Sequence, residues 1–240
     1  MDAMADAWDF LTTTGNWWGR RGLVPRTWAH VQISVVATVL AAVLGLPPAV
    51  WLGQRQRAAA RAGRSLFVPS ASITVVNLAR SLPSFAILVL VVPFSIAWGF
   101  GLGFWPTTVA LVLLGIPPIF ANTYVGMVGT SSSMLEAADA AGMTRRQRLV
   151  GVELPHATPL MLTGLRIAAV QIVATATLGA LVGYQALGSY IVEGLAQGSR
   201  GSDRLLVGAL AVALLAIATE VAFSALERRL LPWDRSSGRS

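Results

Sequence analysis

The chain has 240 residues, 55% of them hydrophobic and 12% charged, with a mean hydropathy of +0.64 and a formal net charge of +7. Too little charge is present to cover a soluble domain of this length, and the long uncharged runs instead match transmembrane helices, which need about 20 residues each. The lack of cysteine excludes disulfides and thiolate metal sites, and the lack of lysine excludes a Walker-type phosphate loop.

The positive charge comes entirely from 18 arginines. They cluster in short loops between apolar runs, which speaks for membrane topology and against a nucleic-acid-binding face. The N-terminal segment, residues 1–26, carries Asp2, Asp6 and Asp9 where a secretory signal needs positive charge. Its Trp8, Phe10, Trp17 and Trp18 suit a segment lying at the membrane surface, and a frayed polar terminus reads equally well.

A membrane domain at 27–231 follows, read as five spans at 27–52, 66–98, 104–127, 158–183 and 203–231, with a tail at 232–240. Pro83 and Pro93 break the second span, and Asn77 and Arg80 lie at its break. With five spans, eleven arginines fall on one side: Arg55, Arg57, Arg61 and Arg64, then Arg145, Arg146 and Arg148, then Arg228, Arg229, Arg235 and Arg239. The other side receives five: Arg20, Arg21, Arg26, Arg200 and Arg204. Positive charge stays cytoplasmic, which puts the N-terminus outside and the C-terminus in the cytoplasm. Splitting the second segment into two spans would divide the eleven, so one kinked or re-entrant segment is preferred. Trp28, Trp51, Trp98, Trp105 and Trp233 fall near span ends, as an interfacial belt requires.

The segment 131–157 stands out. It contains "EAADAAGMTRRQRLVGVELP", acidic and basic residues set between apolar runs. Ser131 to Ser133 offer an N-cap for a helix over 134–141, with Glu136 and Asp139 in its early turns. Gly142 supplies a left-handed turn, Thr144 caps a second short helix through Val152, and Pro155 is expected to stop it before the fourth span. Two short helices meeting at a glycine form a knob too small to fold alone, suited to docking on another protein.

Here the sequence resembles a known family. Glu136-Ala137-Ala138, then Gly142, then Leu154-Pro155, match the EAA signature of ABC importer permeases, and the likeness covers about residues 30–231. The resemblance implies an all-α membrane protein with the five-span core of a type I (MetI-like) importer permease. It makes this segment the coupling helix that enters a groove on a cytoplasmic ABC ATPase. It also implies two ATPase copies, a periplasmic or lipid-anchored solute-binding protein, and a second permease copy or a paralogous one. No cofactor is then bound directly; ATP and Mg are used by the partner, and the permease itself is not an enzyme. The expected location is the bacterial inner membrane. Within the family, "RSLPSFAILVLVVP", "LPHATPLMLTGLRIAAVQIVATATLGALVG" and "LGSYIVEGL" look like osmoprotectant permeases for glycine betaine, carnitine or choline. Those usually read closer to "GAGGLG" where this chain has "GYQALG", so Tyr184, Gln185 and Ala186 depart from the pattern. A permease for another solute such as an amino acid, or a self-contained secondary transporter, are the alternatives; the second predicts inverted repeats, and none is evident.

For the solute pathway, the fourth span offers small and polar residues: Gly164, Ala168, Gly179 and Gly183 at GxxxG-like spacing, and Gln171, Thr175 and Thr177. They suit a seam between two permease subunits that lines a pore, with Asn77 contributing from the second segment. Packing within one bundle is the competing reading. Arg80, Arg166 and Glu220 read as structural ion-pairing groups, and His30 and His156 as ordinary interfacial histidines. No aromatic cage for a quaternary ammonium is visible within the spans, so selectivity is expected in the external binding protein.

Overall fold

A computed structural model describes residues 3–61 and 83–231. Among these, every regular element is helical, and four helices are long and apolar enough to cross a membrane. The helices are α1 (Ala3–Thr12), α2 (Leu23–Arg61), α3 (Ser84–Ala97), α4 (Phe104–Val128), α5 (Ser132–Ala140), α6 (Arg145–Arg148), α7 (Leu154–Thr175), α8 (Leu187–Ala196) and α9 (Ser202–Leu230). A π turn, Leu149–Glu153, joins α6 to α7, and a 3₁₀ stretch, Ala176–Val182, extends α7.

Several boundaries depart from the sequence expectation. The first span begins at Leu23 and runs through Arg61, so Arg55, Arg57 and Arg61 lie on a helix where a loop was expected. The run Gln54–Arg61 is made of strong helix formers, and its arginines find acidic partners that hold the extension in place. At 39 residues the helix reaches about 58 Å, well beyond the hydrocarbon thickness. Pro83, with φ −60 and ψ 128, immediately precedes the first turn of α3, whereas Pro93 lies inside that helix without ending it. Asn77, Arg80 and the choice between one span and two lie outside the described residues, as do Arg64, Trp233, Arg235 and Arg239. Pro155 does not stop a helix. It sits in the first turn of α7, where a missing N–H costs least, directly after the π turn. The fourth span likewise loses α geometry at Ala176 and ends at Gly183 with φ +89.

The described chain packs as two compact units. The first draws on Met1–Leu40, Leu82–Gly115 and Ala169–Glu220. Here the N-terminal segment is neither frayed nor loosely attached: Ala7 is buried with Leu23, Leu187, Tyr190, Val207 and Val212, and Phe10 meets Tyr190 edge-on at 5.8 Å. A second cluster in this unit joins Ile87 and Leu88 to Ala110 and Leu114. The other unit draws, among the described residues, on 41–61, 116–168 and 221–231. Its core includes Ala49, Leu52, Phe120 and Tyr124, the two rings stacked at 6.3 Å. Along α9, Leu210, Leu214, Ile217 and Val221 form an exposed apolar stripe at helical spacing, as a lipid-facing surface requires.

Candidate coupling site

The segment 131–157 folds as its caps dictate. Ser131 Oγ accepts from the Met134 amide at 3.3 Å, starting α5. Gly142 takes φ +71, the left-handed turn expected of it. Thr144 and Gln147 form a reciprocal capping box at the head of α6. Within α5, Leu135 and Ala138 are buried, while Glu136 and Ala137 are exposed, as are Gly142 and Pro155; Leu154 is half-buried. Met134, Met143 and Val150 add exposed apolar surface around the turn. A small apolar patch beside a free carboxylate is a docking surface in composition.

What anchors this knob was not legible in the motif. Glu153, only 3% exposed, lies at the end of the π turn. Its carboxylate accepts from Gln54 Nε2 at 3.1 Å and from Arg148 Nε at 3.1 Å. Arg57 Nη2 approaches the same carboxylate at 2.9 Å but off the hydrogen-bond direction, so its guanidinium nitrogens keep no acceptor among the described residues. Asp139 completes the network, accepting from Arg148 at 2.6 Å and Arg61 at 3.1 Å. The helix bounds correct its assignment: Asp139 sits in the last turn of α5, not an early one, where the helix dipole opposes an anion. The Arg148 hydrogen bond, helped by Arg61, overrides that and holds the Asp139 carboxyl below its ordinary range. A cavity of about 210 Å³ lies among Gln54, Arg57, Arg61, Arg148 and Glu153.

The expected pathway residues separate into two groups. Two glycines of the fourth span, Gly164 and Gly179, pack closely within their own chain, whereas a β-carbon at Gly183 would meet nothing within 4 Å. A β-carbon at Gly164 would lie 2.8 Å from the Pro118 carbonyl oxygen, and one at Gly179 would lie 2.7 Å from Thr107 Cγ2. These close approaches belong to packing within one chain, which corrects their assignment to a seam between subunits. Gln171 is exposed on another face of α7, together with Ile167 and Ala174; Thr175 and Thr177 are half-buried, with Thr177 bonded to the Ala174 carbonyl. Arg166 pairs with Glu227 at 3.2 Å, as a structural ion pair. His30 is not interfacial: it is fully buried, with Nε2 2.9 Å from the Val173 carbonyl, whereas His156 is exposed. Among the described residues no cluster of His, Asp or Glu could hold a metal ion.

Comparison with known proteins agrees with this architecture. Residues 57–232 match the family model described as binding-protein-dependent transport system inner membrane component. The chain is 34% identical over 210 residues to the carnitine transport permease protein OpuCB of Listeria monocytogenes, covering 88% of each chain. It is 32% identical over 223 residues to the choline transport system permease protein OpuBB of Bacillus subtilis (strain 168), covering 93% of each. Among solved structures, it superposes on a chain of the inward-facing MetNI methionine ABC transporter with a TM-score of 0.71 at 24% identity, covering 87% of this chain and 95% of that one. The fold is thus that of the importer permeases, and the chain is a multi-pass membrane protein belonging to the family of inner membrane components of binding-protein-dependent transport systems.

Proposed function

We propose that this permease moves a quaternary ammonium osmoprotectant such as glycine betaine, carnitine or choline. In this reading it works as a pair with a second permease, two cytoplasmic ABC ATPase subunits and an external binding protein. The N-terminus lies outside and the C-terminus in the cytoplasm, as the arginine distribution requires. The observation that carries the coupling role is α5, capped at Ser131 and turned at Gly142, presenting Glu136, Ala137 and Met134 outward while Glu153 ties its base to α2. A helix so anchored moves as one piece with the spans behind it. When the ATPases close on ATP, that displacement reaches the pathway, to which Gln171, Thr175 and Thr177 contribute. ATP and Mg remain with the partner.

The solute class is supported by the relatives' substrates and by the motif likeness. The solved neighbours named for methionine and amino-acid transport are 24% and 15% identical, and they support the fold alone. The test is reconstitution with the ATPase and binding protein. Hydrolysis is expected to rise on adding betaine-, carnitine- or choline-loaded binding protein. Stimulation only by an amino-acid-loaded one would overturn the solute and leave the importer. Failure of any ATPase to co-purify would overturn the coupling role.

A further inference from the structure

The first unit holds a group of charges that the coupling role does not use. Arg26, in the first turn of α2, is only 2% exposed. Its guanidinium donates to Glu193 Oε1 at 2.6 Å and Oε2 at 3.3 Å and to Gln185 Oε1 at 3.3 Å, and it lies 4.4 Å over the Tyr190 ring. Its buried Nε has no acceptor among the described residues. Arg204 approaches the other side of Glu193 at 3.6 Å. Gln185 is one of the residues that depart from the osmoprotectant-permease pattern, so the departure is built into this cluster.

Arg26, Tyr190, Glu193 and Arg204 line a cavity of about 220 Å³, together with Phe10, Trp18, Arg20 and Arg21. A larger cavity, about 740 Å³, shares Arg20, Arg21, Glu193 and Arg204 with it. The walls are fixed by hydrogen bonds. Trp17 Nε1 donates to the Leu11 carbonyl at 2.7 Å, Asn16 Nδ2 to the Phe10 carbonyl at 3.0 Å, and the Tyr190 hydroxyl to the Arg21 carbonyl at 2.8 Å. The smaller cavity has four arginines against one glutamate among its lining residues. Glu193 is already bonded to Arg26 and approached by Arg204, and Arg20 and Arg21 form no ion pair among the described residues. The unbalanced charge calls for an anion, and Arg20 and Arg21, consecutive residues that both line the cavity, offer guanidinium donors suited to a carboxylate. The aromatic surface is divided as well. Arg26 occupies the face of Tyr190, while Trp18 is 68% exposed with its ring available.

We propose that this cavity is a carboxylate-binding site of the permease itself, taking a small zwitterion by its carboxylate at Arg20 and Arg21 and by its quaternary ammonium against Trp18. The site goes beyond the proposed transport role, in which selection rests with the binding protein; only the choice of zwitterion as probe rests on that role. It separates betaine and carnitine, which carry a carboxylate, from choline, which does not.

The experiment is equilibrium dialysis of radiolabelled glycine betaine, choline and propionate against the full-length permease in nanodiscs, without binding protein or ATPase. Betaine and propionate are expected to bind saturably, and choline at least about tenfold more weakly than betaine. Arg20→Gln with Arg21→Gln should weaken betaine and propionate about tenfold or more, since two charge-assisted contacts are lost. These exposed side chains leave the Arg26–Glu193 pair intact, and size-exclusion profiles check the fold. Trp18→Ala should weaken betaine and leave propionate unchanged. Saturable propionate binding without betaine binding would overturn the zwitterion, and choline binding as tight as betaine would overturn the carboxylate as the recognised group. No binding of either carboxylate overturns the site, as does binding that the double variant leaves unchanged. Neither outcome touches the importer role, which ATPase stimulation reads separately.

Discussion

Replacing Glu153 tests the anchor of the coupling helix directly. Glu153→Gln keeps the shape of the side chain and removes its charge, leaving Arg57 next to Arg148 and Arg61 with no carboxylate of its own, since Asp139 pairs only with the other two. Breaking a buried ion pair by removing one partner costs about 3–5 kcal/mol when both charges are fully dry. Here Glu153 and Arg57 have 4% and 11% of their side chains exposed, but Arg148 has 20% and is the more wetted partner. The amide oxygen can accept from only one of Gln54 and Arg148, which bond opposite oxygens of the carboxylate, and its NH2 then meets the other donor. Lowering the full cost for the wetted partner alone leaves about 3 kcal/mol. The assay is a double-mutant cycle on thermal unfolding in detergent, combining Glu153→Gln with Arg57→Met. The Arg57 change alone unpairs little, because Gln54 and Arg148 remain on Glu153. The two together should cost less than the sum of the singles by about 1 kcal/mol or more. Additive singles would refute the argument that Arg57 and Glu153 hold each other. ATP hydrolysis in the assembled complex should become less responsive to loaded binding protein in Glu153→Gln, because the knob no longer moves rigidly with α2.

Further expectations concern the same segment. At Gly142 a β-carbon would meet no atom within 4 Å, so the obstacle is the backbone at φ +71, costing Gly142→Ala about 1–2 kcal/mol. Gly142→Asp adds a charge at the docking face and should abolish transport while the protein still inserts; normal transport by that variant would overturn the coupling assignment. Single cysteines at positions 146 and 198, in a chain with none of its own, should label from the cytoplasm and from outside respectively. Labelling of position 146 from outside in sealed cells would refute the orientation. The Asp139 carboxyl is held below its ordinary value of 3.8 by Arg148, so its contribution is complete above that value and lost only as pH falls through the lowered one. The ratio of ATPase stimulation between wild type and Asp139→Asn should therefore stay flat from about pH 6 to 8, well above the carboxylate range. A slope in that window would show that Asp139 titrates there, opposite to the direction that Arg148 imposes.

The membrane class and the knob were legible because their signals are local. Hydropathy alone marks α4 and α9 to within a residue or two, and Ser131, Gly142 and Thr144 act on backbone groups a few residues away. The extension of α2 was missed because charge was read as loop. Arg57 and Arg61 lie on a run of strong helix formers and find their acidic partners, Glu153 and Asp139, far along the chain. Glu153 itself left no mark, since a lone glutamate before Leu-Pro has no spacing to betray its partners. The glycines of the fourth span showed the converse weakness. Small residues at helical spacing report that something approaches closely, without saying whether it is Thr107 of the same chain or a second subunit. Helix α8 falls between the expected fourth and fifth spans, where no element was expected, because its burial of Leu187 and Tyr190 depends on α1 and α9 rather than on its own short sequence.

The course of the fourth span bears on the proposed coupling role. From Arg145 to Val182 the chain is one nearly continuous helical rod, beginning beside the docking knob and carrying Gln171 along its exposed face. A regular α-helix is stiff along its axis, so a push at one end reaches the other except where the hydrogen-bond ladder changes. It changes twice. The π turn at Leu149–Glu153 precedes Pro155, and the 3₁₀ stretch at Ala176–Val182 leads to Gly183. At the first, Glu153 fixes the turn by ionic contacts, which makes it a joint held firm rather than a free hinge. At the second, His30 bonds the Val173 carbonyl three residues before the geometry shifts, supplying that carbonyl with a partner just where the regular ladder ends. The helix is therefore held by ionic contacts at its first change of geometry, next to the proposed docking knob, and by the His30 bond and the close packing of Gly179 on Thr107 at its second.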